Sequence, residues 1–182
     1  LSKKEVLLHY DPAFDLILKK SKKIDNLKLS KYKRKILICV NSSIFEVNKN
    51  KKHNNYNNFI SALKSLLHNY KIFLIQNDGR LDMIRRIKSD LNNDVKIIEE
   101  SDFHPQEIIY LIKHFNFIIS APMHFSIFTY IAKGKLIQIK YDEKVSSFCK
   151  LINNKNILNL SNLNTIPQVI KNYQTINYKN MA

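Results

Sequence analysis

The chain has 182 residues, of which 45% are hydrophobic and 25% charged, and it carries a net charge of +15. A chain of this length buries roughly 70% of its unfolded surface in one domain, so the composition indicates a globular protein and excludes a disordered or fibrous one. No apolar run approaches the roughly 20 residues of a membrane-spanning helix, and the first residues lack a secretory signal. We expect a cytoplasmic protein, with at most peripheral association at the inner membrane surface.

Residues 1–34 are predicted to be an inter-domain segment and linker, with a strand-like stretch at Val6 to His9 and a lysine-rich end. From residue 35 onward, short apolar runs alternate with helical patterns. The predicted strands are Ile36 to Val40, Ile72 to Ile75, Val95 to Ile98, Phe117 to Ser120, Leu136 to Lys140 and Ile157 to Leu160. The predicted helices are Tyr56 to His68, Leu81 to Leu91, Gln106 to Phe115, Phe125 to Lys133, Lys144 to Leu151 and Ile166 to Tyr173.

This alternation predicts an α/β fold with a doubly wound, mostly parallel six-stranded sheet over residues 35–182. Right-handed crossovers favour a Rossmann-like strand order of 3-2-1-4-5-6. Ligands of such sheets bind at the carboxyl ends of strands one and four. The segment Asn41 to Asn58 follows strand one and is predicted to be a long polar loop.

The glycines, cysteines and histidines of this sequence form no recognised cofactor-binding or metal-binding motif. Gly79 and Gly134 are too few and too far apart for a glycine-rich dinucleotide or phosphate loop. Cys39 and Cys149 each lie inside an apolar stretch, which indicates buried, reduced thiols. No histidine has metal-ligand spacing, so we predict neither a cofactor nor a metal ion.

The basic excess is almost entirely lysine, because the only arginines are Arg34, Arg80, Arg85 and Arg86. Lysine spread along the chain beside abundant Asn and Ile is typical of an AT-rich coding sequence. Binding of anionic ligands, a membrane surface or nucleic acid remains open as an alternative. We predict no nucleic-acid partner, because that function would require the lysines to gather on one face.

His124 has the most informative position of the six histidines. It follows the fourth strand and opens the next helix, where a helix N-terminus offers N–H groups to an anion. The alternative is a histidine packed under the following loop. We expect the imidazole to face the crevice lined by the Asn41 to Asn58 segment, and Tyr141 and Asp142 to approach the same crevice from the fifth strand.

The stretch from Ile118 to Phe148 resembles the signature of the polysaccharide pyruvyl transferase family. That signature reads as a strand ending in Ser-x-Arg-Leu-His, a helix, Gly-x-Pro, a strand, and Tyr-Asp-Pro-Lys-Val with a Phe three residues later. The matching positions here are His124, Gly134, Tyr141, Asp142, Lys144, Val145 and Phe148. Asp11 to Phe14, Asp82 and Glu107 also resemble family positions.

The resemblance implies the C-terminal half of a GT-B-like enzyme, without its N-terminal Rossmann-like domain. Such an enzyme transfers a pyruvyl group from phosphoenolpyruvate to a sugar of a polysaccharide or a lipid-linked acceptor. His124 is then the catalytic residue, and the substrate-binding residues are Asn41, Met123, Tyr141, Asp142 and Lys144. For Tyr141, Asp142 and Lys144 the simpler alternative is a strand end, a helix N-cap and a solvated lysine.

The sequence departs from the family pattern where an anion would be held. The arginine two residues before the histidine is replaced by Pro122, the intervening Leu by Met123, and an arginine after the first strand by Asn41. Losing an arginine–anion pair weakens binding of a trianionic donor. Two functions therefore remain: a pyruvyl transferase, and a non-catalytic scaffold of the same fold that binds a glycan or a partner chain.

Overall fold

The computed structural model describes residues 13, 16–17, 19–45, 52–76 and 81–178. The predicted strand Val6 to His9, most of the Asp11 to Phe14 motif, Gly79 and Arg80 lie outside the described residues. None of the described helices is both long and apolar enough to cross a membrane.

Six strands alternate with helices along the described chain, as predicted. The strands are β1 Lys35–Cys39, β2 Lys71–Ile75, β3 Lys96–Ile98, β4 Phe117–Ser120, β5 Leu136–Lys140 and β6 Ile157–Asn159. The α-helices are α1 Lys22–Asn26, α2 Lys52–Leu66, α3 Leu81–Asp90, α4 Pro105–Ile112, α5 Met123–Ile131, α6 Glu143–Leu151 and α7 Ile166–Lys171. Short 3-10 helices occupy Leu29–Lys31, Ser42–Phe45, Glu100–Asp102 and Leu160–Thr165.

The strands form one sheet in the order β3-β2-β1-β4-β5-β6, which confirms the predicted order. Every pairing is parallel, so all strands end at the same edge of the sheet, here called the carboxyl edge. The register pairs Cys39 with Ser120 and Ser120 with Gln138, so the ends of β1, β4 and β5 are neighbours. This position is the switch point at which doubly wound sheets bind ligands.

Successive strand residues supply two cores on opposite faces of the sheet. Ile36 and Ile38 of β1 pack into the larger cluster with α2, α3 and α7. Leu37 and Cys39 pack into the second cluster with α4 and α5, which also takes Ile24 and Leu29 from the segment before β1. The described end of the predicted linker therefore packs on the sheet.

The prediction of a long loop from Asn41 to Asn58 was wrong over its last part, because α2 already begins at Lys52. An asparagine-rich stretch has low helix propensity, which is why the sequence favoured a loop. The ring of Phe45 lies 5.3 Å from that of Tyr56 and 5.4 Å from that of Phe59. This aromatic packing outweighs the poor local propensity.

Gly134 directly follows the left-handed residue that comes after α5. The left-handed residue after the helix is Lys133, with φ of 55°, while the Gly134 N–H donates to Thr129 O at 2.9 Å. A Cβ on Gly134 would lie 3.0 Å from Ile112 Cγ2 and 3.1 Å from Thr129 Cγ2. Glycine is therefore needed here for the close approach of the α4 and α5 side chains.

Candidate active site at the carboxyl edge

Two polar side chains meet across the carboxyl edge from β1 and β5. Asn41 follows β1 and Tyr141 follows β5, and both are half-buried. Burial and the charge of Asp142 raise the pKa of the Tyr141 hydroxyl, while a hydrogen bond from the Asn41 side chain opposes this rise. The Asn41 Oδ1 atom is buried and has no hydrogen-bond partner among the described residues. The sheet thus brings together two residues that are a hundred positions apart in sequence, as predicted.

The turn from β4 into α5 lies between these two side chains and is held by buried hydrogen bonds. Gln138 Nε2 donates to the carbonyl oxygens of Ser120 at 2.9 Å and Ala121 at 3.1 Å. The Ser126 hydroxyl lies 2.9 Å from both the Ser120 hydroxyl and Pro122 O. The side chains of Ser120, Ser126 and Gln138 are fully buried, so these bonds fix the path of the backbone leading to His124.

The buried hydrogen bonds that hold the turn from β4 into α5 were not predicted from the sequence. A glutamine inside the apolar run Leu136 to Lys140 was the available signal, because a buried amide needs partners.

His124 is the second residue of α5 and is exposed at the carboxyl end of β4. The prediction that it follows a central strand is confirmed, because β4 lies between β1 and β5. Pro122 is the N-cap and makes no side-chain cap hydrogen bond. The N-terminus of α5 carries a partial positive charge, which favours an anion placed near it.

Met123 occupies a different environment from its neighbour. It is half-buried and packs against the cluster that contains Tyr130, Leu136 and Phe148. This packing anchors the first turn of α5 and directs one of its first residues inward while His124 stays exposed. The geometry thus gives Met123 a structural role; its predicted contact with a substrate stays a prediction.

Asp142 is the N-cap of α6, and its carboxylate accepts a hydrogen bond from the Val145 N–H at 2.8 Å. This is the simpler of the two alternatives for Asp142, and it stabilises α6 by about 1 kcal/mol. Lys144 is exposed in the first turn of the same helix. The Lys140 Nζ lies 3.7 Å from Glu143 Oε1, and the exposure of both side chains makes this pair weak.

Glu107 and Asp82, the two other acidic residues that resemble family positions, lie in the first turns of α4 and α3. The Glu107 carboxylate accepts from the His104 N–H at 2.9 Å and closes the N-terminus of α4. That bond, with a further one from Ser21, lowers the pKa of Glu107. Asp82 lies exposed in the first turn of α3. Among the described residues, no group of histidine, cysteine and carboxylate side chains is arranged to hold a metal ion.

The fold is that of the Rossmann-like domain of a GT-B protein. A solved structure of trehalose-6-phosphate synthase is similar over 88% of this chain and 40% of its own, with a TM-score of 0.53 and 11% identity. An E. coli structure with UDP-2-fluoro glucose bound is similar over 86% of this chain and 40% of its own, with a TM-score of 0.52 and 10% identity. Both are GT-B glycosyltransferases. This chain therefore spans about 40% of the length of those structures.

The family model of polysaccharide pyruvyl transferases matches residues 1–143. The chain belongs to that family. No curated protein sequence matches the chain significantly.

Proposed function

We propose that this chain is the C-terminal part of a transferase that moves a pyruvyl group from phosphoenolpyruvate to a sugar of a polysaccharide or lipid-linked glycan. The observation that carries the proposal is the exposed His124 beside the uncapped N-terminus of α5, in a chain whose family match includes this segment. A small anion fits such a site, because helix N–H groups bind carboxylate and phosphate oxygens.

The reaction needs one proton donor and two sugar hydroxyls. A proton added to the methylene carbon of phosphoenolpyruvate turns it into a methyl group and leaves a cationic carbon. The two hydroxyl oxygens bond to that carbon and release their protons, and the C–O bond to phosphate breaks, so the products are a pyruvate ketal and inorganic phosphate. We assign the protonation to His124, because imidazole is the usual side chain for proton transfer near neutral pH.

Two positions at which the family pattern has arginine carry no charge in this sequence. Pro122 is buried and carries no charge, and Asn41 offers an amide. A single domain also leaves the site open to water, where charge contacts are weak. We therefore propose that an N-terminal Rossmann-like domain completes the crevice, and that this chain alone binds phosphoenolpyruvate poorly and transfers nothing.

The second candidate is a non-catalytic scaffold that binds a glycan or a partner chain. The uncharged residues at Pro122 and Asn41 favour it, as does the use of the Asp142 carboxylate in a helix cap. In that case the domain retains the fold of the family, but its crevice does not bind phosphoenolpyruvate as a donor.

Calorimetric titration of phosphoenolpyruvate at low salt separates the two candidates. We expect Pro122→Arg to bind at least about tenfold more tightly than the unmodified chain, because an arginine–anion pair is a strong, charge-assisted contact. His124→Ala in the Pro122→Arg background is expected to remove most of that gain. Pro105→Arg is the matched control, because Pro105 is the first residue of α4 and lies exposed at another helix N-terminus.

Micromolar binding by the unmodified chain contradicts the deficiency that we assign to Pro122. No gain in Pro122→Arg favours the scaffold, because the crevice is then no longer shaped for this donor. An equal gain in Pro105→Arg shows a general charge effect and contradicts a site at His124.

A further inference from the structure

The opposite edge of the sheet, where the strands begin, is lined by basic side chains. These residues, here called the lysine edge, are Lys33, Arg34 and Lys35 at β1, Lys71 at β2, Lys96 at β3, Lys113 before β4, Lys135 before β5 and Lys155 before β6. Because all strands are parallel and neighbours lie about 4.8 Å apart, these starts form one row about 24 Å long. All are exposed except the half-buried Lys35 and Lys71.

The described carboxylates near this edge do not neutralise it. Asp90 accepts a hydrogen bond from the Tyr56 hydroxyl at 2.6 Å and lies 3.9 Å from Arg86, which is not part of the row. Asp94 and Asp25 are exposed. Lys71 Nζ donates to the backbone carbonyl of Asp94, which leaves its own charge uncompensated by this contact. The row therefore keeps a net positive charge, because its eight basic residues outnumber these three carboxylates.

A groove of about 560 Å³ opens beside the start of β1 and β2. Most of its lining residues are basic or aromatic, among them Lys31, Tyr32, Lys33, Arg34, Tyr70 and Lys71. A hydrogen bond with Lys96 and the charges of Lys71 and Lys31 lower the pKa of Tyr32, which lines the groove. This shift is the effect expected of nearby positive charge. The groove thus extends the lysine edge into a concave, cationic surface.

The aromatic rings at this edge are already used in packing. The Tyr32 ring meets Phe73 edge-on at 5.8 Å and lies 5.2 Å from Lys96 Nζ, and the Tyr70 ring lies 6.1 Å from that of Phe117. Single-stranded nucleic acid needs free ring faces for base stacking, so these contacts disfavour it. The row also contains a single arginine, the residue that reads bases and phosphates in a bidentate manner.

We propose that the lysine edge docks on a lipid bilayer that contains anionic phospholipids. Lysine ammonium groups are point charges that suit a surface of headgroup phosphates without fixed geometry. The strands rise about 3.3 Å per residue, so docking holds the carboxyl edge about 15 Å farther from the headgroups.

Vesicle co-sedimentation of the full chain tests this proposal. The vesicles contain phosphatidylcholine with about 30% phosphatidylglycerol, and pure phosphatidylcholine serves as the neutral reference. The variant Lys33→Glu/Lys113→Glu/Lys155→Glu changes exposed residues along the row. We expect its partition coefficient to fall on the order of 100-fold, at about fivefold for each lysine lost.

A matched triple variant controls for net charge. Lys19→Glu/Lys20→Glu/Lys22→Glu changes exposed lysines near α4, where the Lys19 N–H donates to Gln106 O at 3.2 Å at the carboxyl edge. We expect this variant to lose less than about threefold in partitioning, because its lysines lie away from the docking face. The corresponding lysine-to-glutamine triple variants remove the positive charges without adding negative ones. Unchanged circular dichroism of these variants shows that a loss of vesicle binding is not caused by misfolding.

Equal losses in the two triple variants overturn the proposal, because net charge alone then explains the binding. Absence of binding to anionic vesicles at about 50 mM salt also overturns it, because screening is weak there. A single-stranded oligonucleotide that binds more tightly than the vesicles and displaces them assigns the edge to nucleic acid instead. None of these outcomes depends on the proposed transferase activity.

Discussion

The two edges of one parallel sheet differ in how they are suited to anions. At the carboxyl edge, the groups that can face an anion are backbone N–H groups of α5 and His124, held by the buried contacts of Gln138 and Ser126. At the lysine edge, the groups are mostly exposed basic side chains. The first arrangement gives fixed geometry at short range, whereas the second gives attraction that salt screens. The comparison indicates that the two edges offer an anion different kinds of contact.

The largest expected effect follows from breaking the carboxyl-edge turn at Gln138. Gln138→Leu fits a fully buried position but leaves the carbonyl oxygens of Ser120 and Ala121 without their donor. We expect the free energy of unfolding to fall by about 2–4 kcal/mol, because unsatisfied buried polar groups carry the full desolvation cost. Urea unfolding measures it. The exposed Gln168→Leu is the control and should change stability by less than about 0.5 kcal/mol. A similar small change in Gln138→Leu contradicts the assigned role of the amide.

Alkaline pH is expected to lower the stability of the fold near the lysine edge, where Gly134 precedes β5. The Tyr178 hydroxyl donates to Gly134 O at 2.6 Å, and burial raises its pKa from 10.0 to about 12. Because the pKa is raised in the folded state, the stabilisation contributed by Tyr178 is fully present at pH values below the unfolded pKa. It is lost as pH rises from about 10 through about 12. Tyr178→Phe should lower the free energy of unfolding by about 1 kcal/mol at neutral pH. It should also reduce the fall in that free energy between these two pH values. Urea unfolding between these pH values measures the slope, and an unchanged slope contradicts the prediction.

Acid is expected to act on the carboxyl edge through Glu107. Hydrogen bonds from the His104 N–H and Ser21 lower the pKa of this carboxyl group below its ordinary 4.5. A lowered pKa in the folded state means that the stabilisation is present above the unfolded pKa and is lost as pH falls through the folded one. Glu107→Gln should flatten the acid side of the stability profile and leave the alkaline side unchanged. An equal loss of stability at acid and at alkaline pH indicates general destabilisation, and it would count against a specific role for the Glu107 cap.

The strands and their order were predictable because runs of Ile, Leu and Phe can be identified without tertiary context. The start of α2 was not, since it depends on Tyr56 and Phe59 packing against Phe45. His124 and Asp142 were found from their positions after strands, but the buried bonds of Ser120 and Ser126 form only when the turn is folded. The lysine edge was hidden because residues distant in sequence become neighbours through the strand register.

The most direct test of the account is a two-dimensional ¹⁵N NMR titration of the Pro122→Arg variant with phosphoenolpyruvate. The account predicts that the largest shift changes occur at the backbone amides of Met123, His124 and Phe125 and at the Asn41 side-chain amide. It also predicts small changes around the groove at Tyr32 and Lys71, although that surface carries more positive charge. Changes concentrated at the groove, with the α5 amides unmoved, would contradict the assignment of the donor site to the carboxyl edge.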